Sequence, residues 1–174
     1  MRRLIPNCYV TIAMLLAIFA LSPGKGAAFA KTSQEDWHVV DAGPFSILAP
    51  AGWEYHKTRS VDSIRGEFVG AGVTLDFDLG RYSDDLGAAR EPKYDITQKS
   101  IGGHPAKLVS PRIPGQGVTG IYFREISKDY SLSLMGQNLT SAQQELVLKI
   151  FETIRFGRRV PDRVHPHSSE QPRP

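Results

Sequence analysis

Four aspartates offer the clearest candidate chemistry in the chain. Asp76 and Asp78 alternate along the stretch VTLDFDLG, and Asp84 and Asp85 follow shortly after it. Alternate residues of a β-strand point to the same face, so the first two carboxylates share a face just ahead of the other two. Carboxylate oxygens are ligands that Ca²⁺ and Mn²⁺ take readily. These aspartates are therefore candidate metal ligands. The alternative is a solvated strand face on which Arg65 neutralises Asp78.

Glu54 and His56 form a second candidate, because they alternate in the stretch WEYHK. A carboxylate beside an imidazole suits acid–base catalysis. No recognisable motif places a nucleophile next to them, and the alternative is an exposed polar strand face.

The third candidate is the C-terminal stretch GRRVPDRVHPHSSEQPRP. Arg158 and Arg159 are candidates for contact with an acidic partner or with anionic lipid head groups. The stretch is rich in Pro, Arg and Ser and poor in apolar side chains, so residues 157–174 are predicted to form a disordered tail. The alternative is a solvated tail without a function.

Catalytic motifs are missing from the sequence. It contains no G-x-S-x-G elbow, no H-E-x-x-H, no Walker A loop and no G-x-G-x-x-G after a predicted strand. The sequence therefore predicts a protein that is not an enzyme and needs no cofactor.

The first thirty residues have the features of an export signal. Arg2 and Arg3 precede an apolar run at 9–21, which is shorter than the roughly twenty residues that a membrane-spanning helix needs. Ala28 and Ala30 then supply the small side chains of a cleavage site. We predict a signal peptide over 1–30 and a periplasmic or extracellular protein with no transmembrane span after cleavage. The alternative is an uncleaved N-terminal anchor.

Removing this segment changes the charge and the cysteine content. The whole chain has 21 basic and 18 acidic residues, a formal net charge of +3. Arg2, Arg3 and Lys25 leave with the signal, and so does the single cysteine, Cys8. The remaining chain is formally neutral, whereas nucleic-acid binding requires a basic surface. We therefore expect neither nucleic-acid binding nor thiol chemistry.

The aspartates are positioned by a predicted β-hairpin. In the stretch IRGEFVGAGVTLDFDLG, a two-residue turn at 71–72 pairs Phe68 with Leu75 and places Arg65 opposite Asp78. A slip of one residue would mix apolar and polar faces, so the hydrophobic pattern selects this register.

The rest of the chain is predicted to form further strands and at least one helix. A capping box at Thr140 and Gln143 begins an amphipathic helix within 138–156, and a short helix is possible at 82–90. Strand patterns occur at 44–49, 53–57, 93–101, 104–110, 118–126 and 130–137. The predicted core residues are Trp53, Phe68, Leu75, Phe77, Ile150 and Phe151.

Three stretches resemble the PsbP-like family: PFSILAPAGWEY, SIGGHPAKLV and TSAQQELVLKIFETIRF. The resemblance implies a single α+β domain over 31–156, in which helices flank an antiparallel sheet as an α/β/α sandwich. Relatives include the extrinsic oxygen-evolution subunit of photosystem II and a Ran-binding nuclear import factor. They are mostly binding or assembly proteins, and no shared catalytic residues come with the fold.

These observations predict an exported, non-enzymatic binding or accessory module of the cell envelope. Its partner would be a protein or another envelope component of unknown identity. The alternative is a carrier of a small molecule or lipid, which would need an apolar cavity between sheet and helix.

Overall fold

A computed structural model describes residues 36–90 and 92–157 of the chain. The strands and the helix belong to one compact unit. They are, in chain order, β1 (Trp37–Asp41), β2 (Phe45–Pro50), β3 (Glu54–Thr58), β4 (Ile64–Gly70), β5 (Val73–Gly80), β6 (Tyr94–Ile101), β7 (His104–Pro111), β8 (Val118–Ser127), β9 (Tyr130–Gln137), α1 (Ser141–Glu152) and β10 (Arg155–Phe156). The predicted signal peptide and residues 158–174 of the predicted tail lie outside the described residues. In the part of the chain that is described, no helix has the length and apolar character needed to cross a membrane.

The strands form two antiparallel sheets. The larger has seven strands in the order β3-β4-β5-β9-β8-β7-β6, and the smaller has three in the order β1-β2-β10. Side chains of β2 and β10 pack against the larger sheet, with Phe45 of β2 touching Phe77 of β5 at a ring-centroid distance of 5.0 Å. The architecture is therefore a β-sandwich to which one helix is added.

The predicted α/β/α sandwich is wrong. Over residues 36–90 and 92–157 the structure contains a single helix, α1, and the three-stranded sheet provides the second layer. The possible helix at 82–90 is a series of turns. There the carboxylates of Asp84 and Asp85 accept the backbone N–H groups of Leu86 and Gly87, each at 2.8 Å. Such local bonds compete with helix formation, and Leu86 adopts a left-handed φ of 55°.

The predicted hairpin is confirmed. β4 and β5 pair with Phe68 opposite Leu75 and Arg65 opposite Asp78. Ala71 and Gly72 form the turn with φ values of 52° and 68°. Positive φ at both central residues is what a tight hairpin turn needs to match the twist of its strands.

The helix is confirmed together with its cap. The hydroxyl of Thr140 accepts the N–H of Gln143, and the side chain of Gln143 accepts the N–H of Thr140. Val147, Ile150 and Phe151 are buried on the face turned to the sheets. At the other end, the hydroxyl of Thr153 accepts the N–H of Leu48 at 2.8 Å, which fixes the end of α1 to β2.

The interior between the sheets is aromatic. We call Phe45, Tyr55, Phe68 and Phe77 the aromatic cluster; the ring centroids of its contacting pairs lie 5.0–5.9 Å apart. Such edge-on and tilted contacts add to the free energy gained by burying the rings. The six predicted core residues are all buried, at most 3% exposed, which confirms that prediction.

Candidate functional site

The structure places the predicted metal ligands Asp76 and Asp78 on the outer face of β5, opposite to Leu75 and Phe77. Asp76 is exposed and lies across from Glu67 of β4. Asp78 is less accessible, with a side chain 18% exposed, and its Oδ2 accepts a hydrogen bond from Arg65 at 2.8 Å. The pairing of Arg65 with Asp78 is therefore present in the structure.

The other two aspartates are engaged in their own turn. The Oδ1 atoms of Asp84 and Asp85 each accept a backbone N–H two residues further along. Among residues 36–90 and 92–157, no three His, Cys, Asp or Glu side chains come close enough to hold a metal ion. The structure thus positions two predicted ligands on a strand and two in a turn without gathering three of them.

The second candidate pair, Glu54 and His56, lies exposed on β3. The Oε2 atom of Glu54 is 3.5 Å from Nε2 of His56, and their side chains are 77% and 56% exposed. His56 faces Glu67 across the β3–β4 ladder, so the imidazole has carboxylates on its own strand and on the next. The arrangement can attract a cation or a donor group from solvent, but it forms no enclosed site.

A buried polar cluster, which the sequence did not reveal, lies beside Asp78. Ser83 accepts the N–H of Gly80 and donates to the backbone carbonyl of Ser131, each at 3.0 Å. Asp78 and Ser133 face each other across the β5–β9 ladder, and Oδ1 of Asp78 and Oγ of Ser133 are buried without a hydrogen-bond partner. The hydrogen bonds of Ser83 hold the segment after β5 on the sheet. Ser83 and Ser133 are buried, so their hydroxyl groups are closed to a substrate.

The same segment covers part of the outer face of the large sheet. Leu86 and Ala89 are buried against Val109, with Tyr94 and Tyr122 packed around them. This small second core shields the outer face over β7 and β8, whereas the outer faces of β3 to β5 carry the exposed charged residues described above.

Tyr55 lies where burial changes the pKa of its side chain. Burial beside Phe68 and Phe77 raises the pKa of the Tyr55 phenol, because the charged phenolate loses solvation there. The raised pKa keeps this phenol neutral, which suits a residue that packs against the aromatic cluster.

The longest run of exposed residues in the described strands of the large sheet is in β6. Within the described strands, β6 pairs with β7 alone and forms one edge of the sheet. Its residues 95–100 are all exposed, on both faces. The stretch DITQKS lacks the apolar alternation of a half-buried strand, which is consistent with an edge strand but does not by itself place the strand at the edge.

The remaining predicted site residues, Arg158 and Arg159, lie outside the described residues. Comparison with family models, curated proteins and solved structures found no match to the chain. The functional argument therefore rests on the residues themselves.

Proposed function

We propose that this chain is an exported, non-enzymatic binding module of the cell envelope that recognises its partner on its outer surface. The observation that carries this proposal is the packing of buried apolar side chains between the two sheets and the helix. The aromatic cluster occupies the space between the two sheets, and Val147, Ile150 and Phe151 of α1 are 0% exposed. A carrier needs a lined cavity of a few hundred Å³ in that position.

Export is the second part of the proposal. The basic start, the short apolar run and the small residues ending at Ala30 support it. Cleavage after Ala30 would leave Lys31 as the first residue, and mass spectrometry of the exported protein measures this directly.

The binding role is tested by capture from the envelope fraction of the source cells. The exported protein is immobilised, and capture must saturate and be competed by the same protein free in solution. A matched variant, Arg158→Ala with Arg159→Ala, tests whether the arginines of the tail contribute to capture. Capture is also compared at low and high salt, because binding through exposed arginines weakens at high salt. Loss of capture in this variant together with salt sensitivity would locate the contact in the tail.

The carrier alternative predicts a different result. Organic extraction of the purified exported protein, followed by mass spectrometry, would then recover an apolar compound in stoichiometric amount. Recovery of such a compound, without any competed capture of an envelope component, would contradict the proposed binding function.

A further inference from the structure

The free edge of β6 presents a defined set of backbone groups. The N–H of Arg112 donates to the carbonyl of Lys93 at 3.0 Å, so these two residues form a hydrogen-bonded pair next to the pair of Tyr94 and Pro111. Hydrogen-bonded and non-bonded pairs alternate along an antiparallel ladder. The odd-numbered residues of β6 therefore bond to β7, and the even-numbered ones direct their N–H and C=O groups outward.

The prolines of β7 agree with this assignment. Pro105 lies opposite Ser100, and Pro111 lies opposite Tyr94. Proline has no N–H to donate, so it is compatible with the positions of β7 that do not bond to β6. The outward backbone groups of β6 are thus those of Tyr94, Ile96, Gln98 and Ser100.

The charged side chains of β6 lie on one face. Asp95 and Lys99 are four residues apart, on the face turned toward α1, where Lys99 pairs with Glu152 of that helix. Asp95 pairs with Arg112 on the same side. The side chain of Asp95 is 62% exposed and that of Lys99 is 47% exposed, so both can reach a neighbouring strand.

We propose that this chain forms a dimer in which β6 pairs antiparallel with β6 of a second copy, about a two-fold axis at Thr97. In this register Asp95 lies opposite Lys99 of the second copy, and Lys99 lies opposite Asp95 of the second copy. The outward backbone groups also match, since Ile96 of one copy then faces Gln98 of the second copy as a hydrogen-bonded pair. The inference does not rest on the proposed function.

The neighbouring registers are less favourable. The backbone pattern allows slips of two residues, because a slip of one would oppose outward groups to inward ones. A slip in one direction places Lys93 opposite Lys99 of the second copy. A slip in the other leaves Asp95 opposite the apolar Ile101. Opposite charges directly across a ladder stabilise it and like charges destabilise it, so the charges select the axis at Thr97.

Two charge reversals test the dimer. In Asp95→Lys, each cross-strand pair becomes lysine against lysine; in Lys99→Asp, each becomes aspartate against aspartate. Each variant alone is expected to weaken the dimer by about tenfold or more, because two attractions of up to about fivefold each become two repulsions. An equimolar mixture of the two variants restores both opposite-charge pairs and is expected to form a heterodimer. The measurement is sedimentation equilibrium of the exported protein at low salt.

A second variant tests the backbone contribution. Gln98→Pro removes an outward N–H that β7 does not use, so the β6–β7 ladder stays intact while pairing with the second copy is lost. Thermal unfolding monitors that the fold is retained.

Three outcomes overturn the proposal. The first is that the wild-type chain stays monomeric up to about 1 mM protein, a concentration at which even an association with a millimolar Kd would be detected. The second is that the dimer persists in both single variants, which would place the interface elsewhere. The third is that the chain is monomeric but Gln98→Pro abolishes capture of an envelope protein, which would show that the edge pairs with a strand of another protein.

Discussion

The two edge strands of the seven-stranded sheet differ in what lies beside them. β3 at one edge has five residues, and β1 of the smaller sheet lies next to it, with His38 bonded to the carbonyl of Trp53 at 3.2 Å. Its Tyr55 belongs to the aromatic cluster. β6 at the other edge has eight residues, of which 95–100 are exposed.

The difference indicates that the two edges have different roles. Sheet edges are sites of unwanted pairing, and proteins protect them by shortening them, covering them or placing charges on them. β3 is short and joined to the core. β6 is long, and a two-fold rotation at Thr97 places its Asp95 opposite Lys99 of a second copy. We therefore expect substitutions next to β3 to change the stability of the fold, and substitutions on β6 to change association with little effect on stability.

The largest expected effect is that of Phe68→Ala. Phe68 is 0% exposed, lies opposite Tyr55 and touches three other rings of the aromatic cluster. Its truncation is expected to lower the free energy of unfolding by about 3–5 kcal/mol, as large-to-small changes in cores do. The matched control on the other edge is Ile96→Ala. Ile96 is 38% exposed, so we expect a loss of about 1 kcal/mol, well below that of Phe68→Ala.

Urea unfolding of both variants measures this contrast. A loss in Ile96→Ala that approaches the loss in Phe68→Ala would mean that β6 is covered in the folded monomer, and the distinction between the edges would fail.

Local sequence patterns were sufficient for the hairpin and for the helix. The register of β4 and β5 follows from alternating apolar residues and a two-residue turn, both confined to one stretch of chain. The cap at Thr140 and Gln143 is equally local. Patterns of this kind carry their own geometry, so the sequence predicted them correctly.

The layers of the fold could not be read in the same way. β1 has the sequence WHVVD and a burial pattern that does not alternate, and it is defined by its pairing with β2. β10 has two residues, and its pairing with Ser46 and Phe45 joins the segment after α1 to the same sheet. These contacts are long-range, so no local pattern revealed the second sheet, and the resemblance to the PsbP-like family implied a helical layer in its place.

The candidate site shows the same limit. Sequence spacing brought four aspartates to attention, yet Asp84 and Asp85 accept N–H groups of their own turn. The free edge of β6 depends on the order of the strands, which no local pattern fixes. The polar character of the strand was visible in the sequence, but its position at the edge was not.

A smaller effect is expected for Gly70→Ala, also beside β3. The φ of Gly70 is not in the left-handed region, but a Cβ there would meet ring atoms Cδ1 and Cδ2 of Trp53 at 2.5 Å and 2.6 Å. Since real Cβ atoms do not approach so closely, the indole must shift, and we expect a loss of about 1–3 kcal/mol. Trp53 is 2% exposed, and in a Trp37→Phe background, which removes the second tryptophan of the chain, tryptophan fluorescence reports the shift.

The control is Ser100→Ala on β6, an exposed position, where the free energy of unfolding is expected to change by less than about 0.5 kcal/mol. An unchanged emission spectrum and an unchanged unfolding midpoint in Gly70→Ala would show that Trp53 does not pack on this glycine.

The smallest expected effect is a change in pH dependence at Tyr55. Burial raises the pKa of this phenol above its ordinary value of 10.0, whereas in the unfolded chain the phenol titrates near that value. Below about pH 10 the Tyr55 phenol is neutral in both the folded and the unfolded chain, so its contribution to stability is fully present. As the pH rises further, the unfolded chain releases its proton first, so the folded state loses stability.

Tyr55→Phe removes this contribution, so the unfolding free energy of the variant is expected to fall less steeply above pH 10 than that of the wild type. Tyr82→Phe, at a position 87% exposed, is the control and is expected to keep the wild-type profile. The measurement is urea unfolding between pH 8 and pH 11, taken as the difference between each variant and the wild type, which cancels the titration of the lysines common to all three proteins. Equal slopes in wild type and Tyr55→Phe would mean that water reaches the phenol. The β3 edge would then be as open as β6 at this residue.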